Sequence, residues 1–475
     1  MSSRPPSFLL PNSTSCRVLD RFSDLPENIQ VEEDDEGKIP FWPLLDHLVS
    51  TPVSSITQLI DRLQTIAANA ETCQDGDYAF LKKFLQDRDE SMIINVAWPK
   101  IRDIALNLPV YFPGGQLELL QADSPLRLSC GQVACLVAKS LVLWPSRLSC
   151  GIWYSSEQRH PIAVQMYLEA LFTYFEGLPT AKDLLDGHQA GSDNLVSYEI
   201  HQSSQVSLAN ARLGPVQIKY MDTHTSDTHH PHVQGKGGAV VVSSNKVIGF
   251  GQSATQEEIF VGIAPEAYPV VLVAPHLADN AVITVSGAKA MVDVKGQRRN
   301  IEWEVHPASS PDNDHKSWQG GRLVFMDALE MDMVERSSSD DLPDLYLENI
   351  DREINKATNG FKSYNGDSIF TGLWGCGAFG GDPGVKLIVL WLAAGASNIE
   401  LMVVLGPGEH HLGKGLEEVV KACNGLTAND VREMLSRVPK ELRREGILEW
   451  IAEEASRVSH QTIRLKDRGS EATTL

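Results

Sequence analysis

The chain has 475 residues, 42% of them hydrophobic and 22% charged, the profile of a globular protein with room for two or three domains. Its 41 basic and 62 acidic residues leave a formal charge of −21. That balance argues against direct DNA or RNA binding, which needs clustered Lys and Arg, while leaving room for a polyanion gripped at a small local site.

Residues 1–36 are rich in Ser and Pro, end in the acidic run Glu32–Glu36, and are expected to form a partly disordered arm. They hold no apolar run of signal-peptide length, and no stretch of the chain approaches the roughly 20 apolar residues of a membrane span. The seven cysteines (16, 73, 130, 135, 150, 376 and 423) are scattered and show no CxxC spacing. They read as reduced thiols of a soluble protein of the nucleus or cytosol, with no membrane partner.

From 37 to 205 the pattern is that of an all-helical accessory domain. Trp42, Leu45, Leu48 and Val49 keep helical spacing, as do Ile56, Leu59, Ile60 and Leu63. Ser129 is a candidate N-cap for a helix running to Trp144, where Pro145 stops it. Cys130 and Cys135, five residues apart on that helix, suit a core better than a metal. The polar stretch 185–205 marks a boundary. Beyond it, strands are expected at Val216–Tyr220, Ala239–Ser243, Ala281–Ser286, Arg322–Asp327, Ser368–Leu373 and Glu400–Leu405. Helices are expected around 257–268, 344–359 and 384–396. This alternation describes an α/β domain over 206–460 with a sheet between helices, closed by C-terminal helices and followed by a disordered tail, 461–475. The loop carrying His224, His229, His230 and His232 has no cysteine partner and no i, i+4 pair, so a solvated loop is favoured over a metal site.

Two stretches carry chemistry. In 239–258 an apolar run leads through Ser243-Ser244-Asn245-Lys246 to Gly249-Phe250-Gly251, and Gln256-Glu257-Glu258 then opens an amphipathic segment. Strand, tight glycine loop and helix start together suit a ligand with anionic oxygens. Two adjacent carboxylates at a helix start ordinarily reflect only a favourable dipole interaction, so the second stretch matters. There, 370–382 read FTGLWGCGAFGGD, with five glycines (372, 375, 377, 380 and 381), and Asp382-Pro383 form a good cap and first turn for the next helix. Five glycines exceed what a structural turn needs and suit a backbone cradle for phosphates.

WGCGAFGGD (374–382), preceded by Glu353-Ile354-Asn355-Lys356-Ala357 and Gly360-Phe361, resembles the C-terminal signature of poly(ADP-ribose) glycohydrolases. The glycine loop before Gln256-Glu257-Glu258, the lead-in Asn245-Lys246 with Ile248-Gly249, and Leu128-Ser129 with Gln132–Leu136 resemble further segments of that family. The resemblance covers roughly residues 40–410. It implies a macrodomain-like mixed sheet sandwiched by helices, and a glycosidase that cuts ribose–ribose bonds of poly(ADP-ribose). Glu258 would be the general acid, and Glu257 would hold the adjoining ribose hydroxyls. Gln256, Asn245, Gly249 and Gly251 would help seat the substrate, with its diphosphate at Gly375, Gly377, Ala378, Phe379 and Gly380. The implied partners are poly(ADP-ribose) and ADP-ribosylated proteins, and the mechanism calls for no cofactor and no metal. Glycoside cleavage needs a proton for the leaving oxygen and negative charge near the anomeric carbon, which two carboxylates can supply.

The chain departs from the family pattern at several points. Gly-Phe-Gly stands where three glycines are usual, and only Gln252–Thr255 separate it from Gln256. Val242 replaces an acidic residue, Gln297 a substrate-covering tyrosine and Leu373 an asparagine, and Leu405 falls near a ligand-packing aromatic. Phe250 must point away from substrate, or the site is reshaped. Two alternatives follow: a silent ADP-ribose reader, and a hydrolase of another ADP-ribosyl linkage.

Overall fold

The computed structural model describes residues 7–70, 77–142, 150–191, 195–203, 206–209, 211–221, 238–296, 301–305, 322–335, 342–439, 442 and 446–458. The histidine loop, the C-terminal tail, Cys73 and Gln297 lie outside the described residues. The chain divides into two units. The first comprises 1–199, 247–276 and 285–319, and the second 200–246, 277–284 and 320–475.

The first unit is mostly helical. Phe41–Ser50 buries Leu45, Leu48 and Val49 of its predicted face but leaves Trp42 half-buried, Ile56–Asn69 buries all four residues of its own, and Ser55 caps the second helix by accepting the N–H of Gln58. The helix Cys130–Val142 starts where the N-cap signal placed it. The Ser129 hydroxyl accepts the Gln132 N–H (3.2 Å) and the Gln132 side chain accepts the Ser129 N–H (3.0 Å), so each satisfies an otherwise unpaired donor. Cys135 is fully buried, as its place on the core face requires. Pro161–Gly177 is apolar nearly all round and buries Tyr167, Leu168, Leu171 and Phe175. The polar stretch expected to be a boundary contains a strand, Leu195–Gln202, paired antiparallel to Leu126–Ser129. Its Val196, Tyr198 and Ile200 alternate inward between Ser197, Glu199 and His201, a period of two that the polar composition disguises. At the N-terminal end, Ser7–Leu9 pairs with Gln116–Glu118.

The second unit is built on a sheet running Ala281–Ser286 (of which 281–284 belong here), Arg322–Asp327, Ala239–Ser244, Ser368–Thr371, Glu400–Leu405 and Val216–Tyr220. The last five strands are parallel, with Val324 opposite Val241, Ile369 opposite Ala239 and Leu401 opposite Val216. One face packs Val324, Met326, Val241 and Val403 against Leu347–Lys362, Pro383–Ser397 and the later helices through Ile354, Phe361, Leu390 and Leu416. Residues of the other face, among them Val240, Val242, Leu323 and Phe325, are buried as well, which is why these strands read as continuous apolar runs. Of the strands expected over 206–460, four keep their predicted ends, Ala239–Ser243 extends to Ser244, and the expected helices are present with shifted ends. The strand expected to reach Leu373 stops at Thr371, because Gly372 opens the loop. The helix expected over 257–268 stops at Ile263, where Pro265 begins a short 3-10 turn.

Candidate active site

The acidic pair sits in the first unit. Thr255 caps the helix Gln256–Ile263, accepting the Glu258 N–H at 3.4 Å. The Glu258 carboxylate folds back to accept the N–H groups of Thr255 (3.0 Å) and Ser253 (2.7 Å), which completes a capping box. Glu257, nearly buried, accepts the Gly249 N–H at 2.8 Å. The two adjacent glutamates therefore hold opposite ends of one loop. A Cβ on Gly251 would stand 1.8 Å from Glu258 Oε1, so this glycine makes room for the carboxylate. Ala254 takes a left-handed φ of 56°, a conformation costly for a residue with a Cβ. The four-residue spacer turns its corner there.

Phe250 points into an aromatic cluster. Its ring meets Trp153 edge-on at 5.4 Å and Tyr268 at 4.9 Å. The Trp153 indole N–H donates to the Gly251 carbonyl at 2.8 Å, and Gln252 Nε2 reaches the Ile152 carbonyl. Trp153 carried no sequence signal that marked it; it follows an unremarkable Gly-Ile pair.

The second glycine loop lies in the second unit. Trp374 is buried and donates its indole N–H to the Met326 carbonyl (3.0 Å), pinning the loop's start to the sheet. Gly375 and Gly380 have φ of 76° and 65°, open to glycine at little cost. The N–H groups of Cys376, Gly380 and Gly381 bond within the loop, to Leu373, Gly377 and Gly375 carbonyls. Those of Gly377, Ala378 and Phe379 donate to no acceptor among the described residues. Gly377 is exposed, and a Cβ there would meet nothing within 4 Å. Packing does not require a glycine at 377.

The helix N-terminus after this loop is already occupied. Asp382 accepts the Val385 N–H at 3.0 Å, and its own N–H donates to Asp344 at 3.0 Å. The expected Asp382 cap and Pro383 first turn are thus both present at this helix start. Asn245 follows the strand whose Ser243 hydroxyl accepts the Gly375 N–H at 3.4 Å. The structure brings Gln256, Glu257, Glu258, Gly249 and Gly251 together in one loop-helix corner, and Gly375 to Gly380 in another.

Buried ions support the second loop. Lys356, wholly buried, binds Asp327 (2.5 Å) and the carbonyls of Ala278 and Ala281. Arg352 binds Asp327 at 2.5 Å and Glu353 at 2.6 Å. Glu353 in turn binds the buried Lys386, whose Nζ stands 5.0 Å from the Trp374 ring centroid. Burial pushes the Asp344 carboxyl up to about 6, against the pull of Lys386. Glu353 and Lys356 belong to a segment singled out in the sequence, and here they bear on the loop through the sheet and Lys386. No group of side chains suited to a metal occurs among the described residues.

Residues 192–411 match the family model described as poly(ADP-ribose) glycohydrolase, macrodomain fold. This stretch, somewhat under half of the chain, is thus similar to the poly(ADP-ribose) glycohydrolase family. Among curated proteins, poly(ADP-ribose) glycohydrolase 2 of Caenorhabditis elegans is 29% identical over 189 residues, covering 37% of this chain and 39% of that one. Poly(ADP-ribose) glycohydrolase 1 of the same organism is 32% identical over 153 residues, covering 30% and 20%. The matches thus span about two-fifths or less of those relatives. Among solved structures, a Deinococcus radiodurans poly(ADP-ribose) glycohydrolase mutant in complex with ADP-ribose is 16% identical, with a TM-score of 0.30 over 43% of this chain and 84% of that one.

Proposed function

We propose that this chain is a poly(ADP-ribose) glycohydrolase that binds a terminal ADP-ribose unit and hydrolyses the ribose–ribose bond, with poly(ADP-ribose) and ADP-ribosylated proteins of the nucleus or cytoplasm as its partners. Glu258 gives its proton to the leaving ribose oxygen as the glycosidic C–O bond breaks. Water then adds its hydroxyl to the anomeric carbon, and its remaining proton restores the acid. Glu257 holds ribose hydroxyls, and Gln256 and Asn245 help seat the substrate. The unengaged amides of Gly377, Ala378 and Phe379 receive the diphosphate, and Gly377, which packing does not demand, leaves the backbone bare to it. No metal or cofactor enters this scheme.

The observation that carries the reading is the acidic pair closing a glycine loop within the stretch, 192–411, that matches this family's model. A second reading has its own support. The Glu258 carboxylate is engaged as a cap, and a protein in which it stayed so would bind ADP-ribose without cutting. The test is release of ADP-ribose from poly(ADP-ribose) by the parent and by Glu258→Gln, with titration of ADP-ribose into both. Gln also serves in a capping box, so the variant should fold and bind as the parent does while turnover falls at least 100-fold, the scale of a lost general acid. Binding with no release by the parent identifies a reader. Release undiminished in the variant removes Glu258 from the chemistry. Release only from mono-ADP-ribosylated protein points to the other linkage.

A further inference from the structure

We propose that the single turn Cys150–Trp153, far from the acidic pair in sequence, is the positioning element that sets the Glu258 carboxylate; the proposal rests on the reading of Glu258 as the acid. Its residues touch the catalytic loop at two points. Trp153 spends its one donor on the Gly251 carbonyl, and the neighbouring Ile152 carbonyl accepts from Gln252. Gly251 is the residue whose Cα lies against the Glu258 carboxylate. Fixing the Gly251–Gln252 peptide therefore fixes the wall against which the acid rests.

The same aromatic cluster supports the helix that carries the acid. The Trp153 ring lies 5.1 Å from that of Tyr167, and a Cβ on Gly262 would stand 2.2 Å from Tyr167 Cδ1. Helix Gln256–Ile263 is thus seated directly on the tyrosine. Loop and helix share one rigid base, with Trp153, Tyr167 and Tyr268 all almost wholly buried. Tyr167 also feels the acid: burial raises its hydroxyl's pKa well above the usual value, and the nearby Glu258 charge adds to the rise.

This arrangement accounts for Phe250. Where a glycine loop is held only by its backbone, extra length and glycine freedom can accommodate substrate. Here the loop is short, and the Phe250 ring, wedged between Trp153 and Tyr268, anchors it through a side chain. Phe250 is a positioning residue acting with Trp153, outside the reacting atoms.

Trp153→Phe keeps the ring and removes the N–H; Phe250→Gly removes the wedge. Two readouts are taken: kcat and KM for ADP-ribose release, and hydrogen exchange of the Gly249, Ser253 and Thr255 amides. Trp153→Phe is expected to lose about tenfold or more in kcat with KM and Tm little changed, as a loosened acid should, and Phe250→Gly to lose as much in kcat with a lower Tm because it also leaves a hole. The three amides should exchange faster. Unchanged kcat with unchanged exchange in Trp153→Phe overturns the proposal, as does a fall in kcat matched by loss of Tm and binding, which marks a structural role only. Exchange is read without turnover, so the two readings separate. An inactive parent whose loop amides loosen in Trp153→Phe overturns the hydrolase reading and retains the turn as the loop's support; an inactive parent with unmoved amides overturns both.

Discussion

Gly251→Ala tests the corner around Glu258 with a single methyl group. The new Cβ would lie 1.8 Å from Glu258 Oε1, 2.2 Å from Cδ and 2.6 Å from Cγ. Non-bonded atoms settle near 3.5 Å, so the carboxylate must retreat by roughly 1.5 Å. It is the free end of a flexible side chain and can move, but in moving it releases the Ser253 and Thr255 N–H groups. The loss is that of a cap, about 1 kcal/mol, offset in part by about 0.5 kcal/mol from the stiffer unfolded chain. Gly251 has no positive φ, so the alanine itself brings no backbone strain. Urea unfolding should therefore show a net loss of no more than about 1 kcal/mol. Turnover should fall about 100-fold, because a proton donor displaced by more than 1 Å no longer meets the leaving oxygen. Full activity in Gly251→Ala would refute the reasoning: the carboxylate would then work from some other position. A stability loss of about 3 kcal/mol or more would refute it differently, by showing that backbone rather than side chain had given way.

Two further predictions concern buried charge. Burial raises the Glu266 carboxyl from 4.5 to about 7, with Lys289 and its backbone N–H pulling the other way. A raised carboxyl favours the folded state fully below about pH 4.5, and that contribution is lost as pH rises through about 7. Chemical denaturation at pH 5 and pH 8 should show Glu266→Gln gaining on the parent at the higher pH by up to about 3 kcal/mol; no pH-dependent difference would contradict it. Glu353→Leu should cost about 3–5 kcal/mol, since it strands Lys386 and half-strands Arg352 in the interior. Adding Lys386→Met should restore much of that loss in a thermal melt, and a double variant worse than the single would contradict the pairing.

The strands of the central sheet were legible, though not their parallel pairing, because they are buried on both faces and so spell unbroken apolar runs, as at Ala239–Ser244 and Glu400–Leu405. Leu195–Gln202 was not, since every second residue is polar and the stretch resembles a linker. Glu257 and Glu258 stood out because they follow a glycine loop, and the second loop because its glycines exceed what a turn needs. What each glutamate holds was not written there. Identical side chains on adjacent residues reach different N–H groups, Gly249 for one and Ser253 with Thr255 for the other, only because the loop folds between them. Trp153 was invisible for a plainer reason. It meets Gly251 across 98 residues of sequence, and no local pattern announces a contact of that range.

Among the described residues, the two lysines that support the second glycine loop face inward. Lys356 and Lys386 are 0% and 1% exposed and are committed to Asp327 and Glu353. An anion held there would be met by amide dipoles at fixed positions rather than by mobile lysines wearing a cloud of counterions. Ionic strength screens exposed charges within about 10 Å at 0.1 M salt and reaches buried pairs far less. Association at this loop would release few ions from the protein, so its affinity should decline only gently as salt rises. A chain of charge −21 could in this way hold a polyanion by one end under conditions that would strip it from a basic groove.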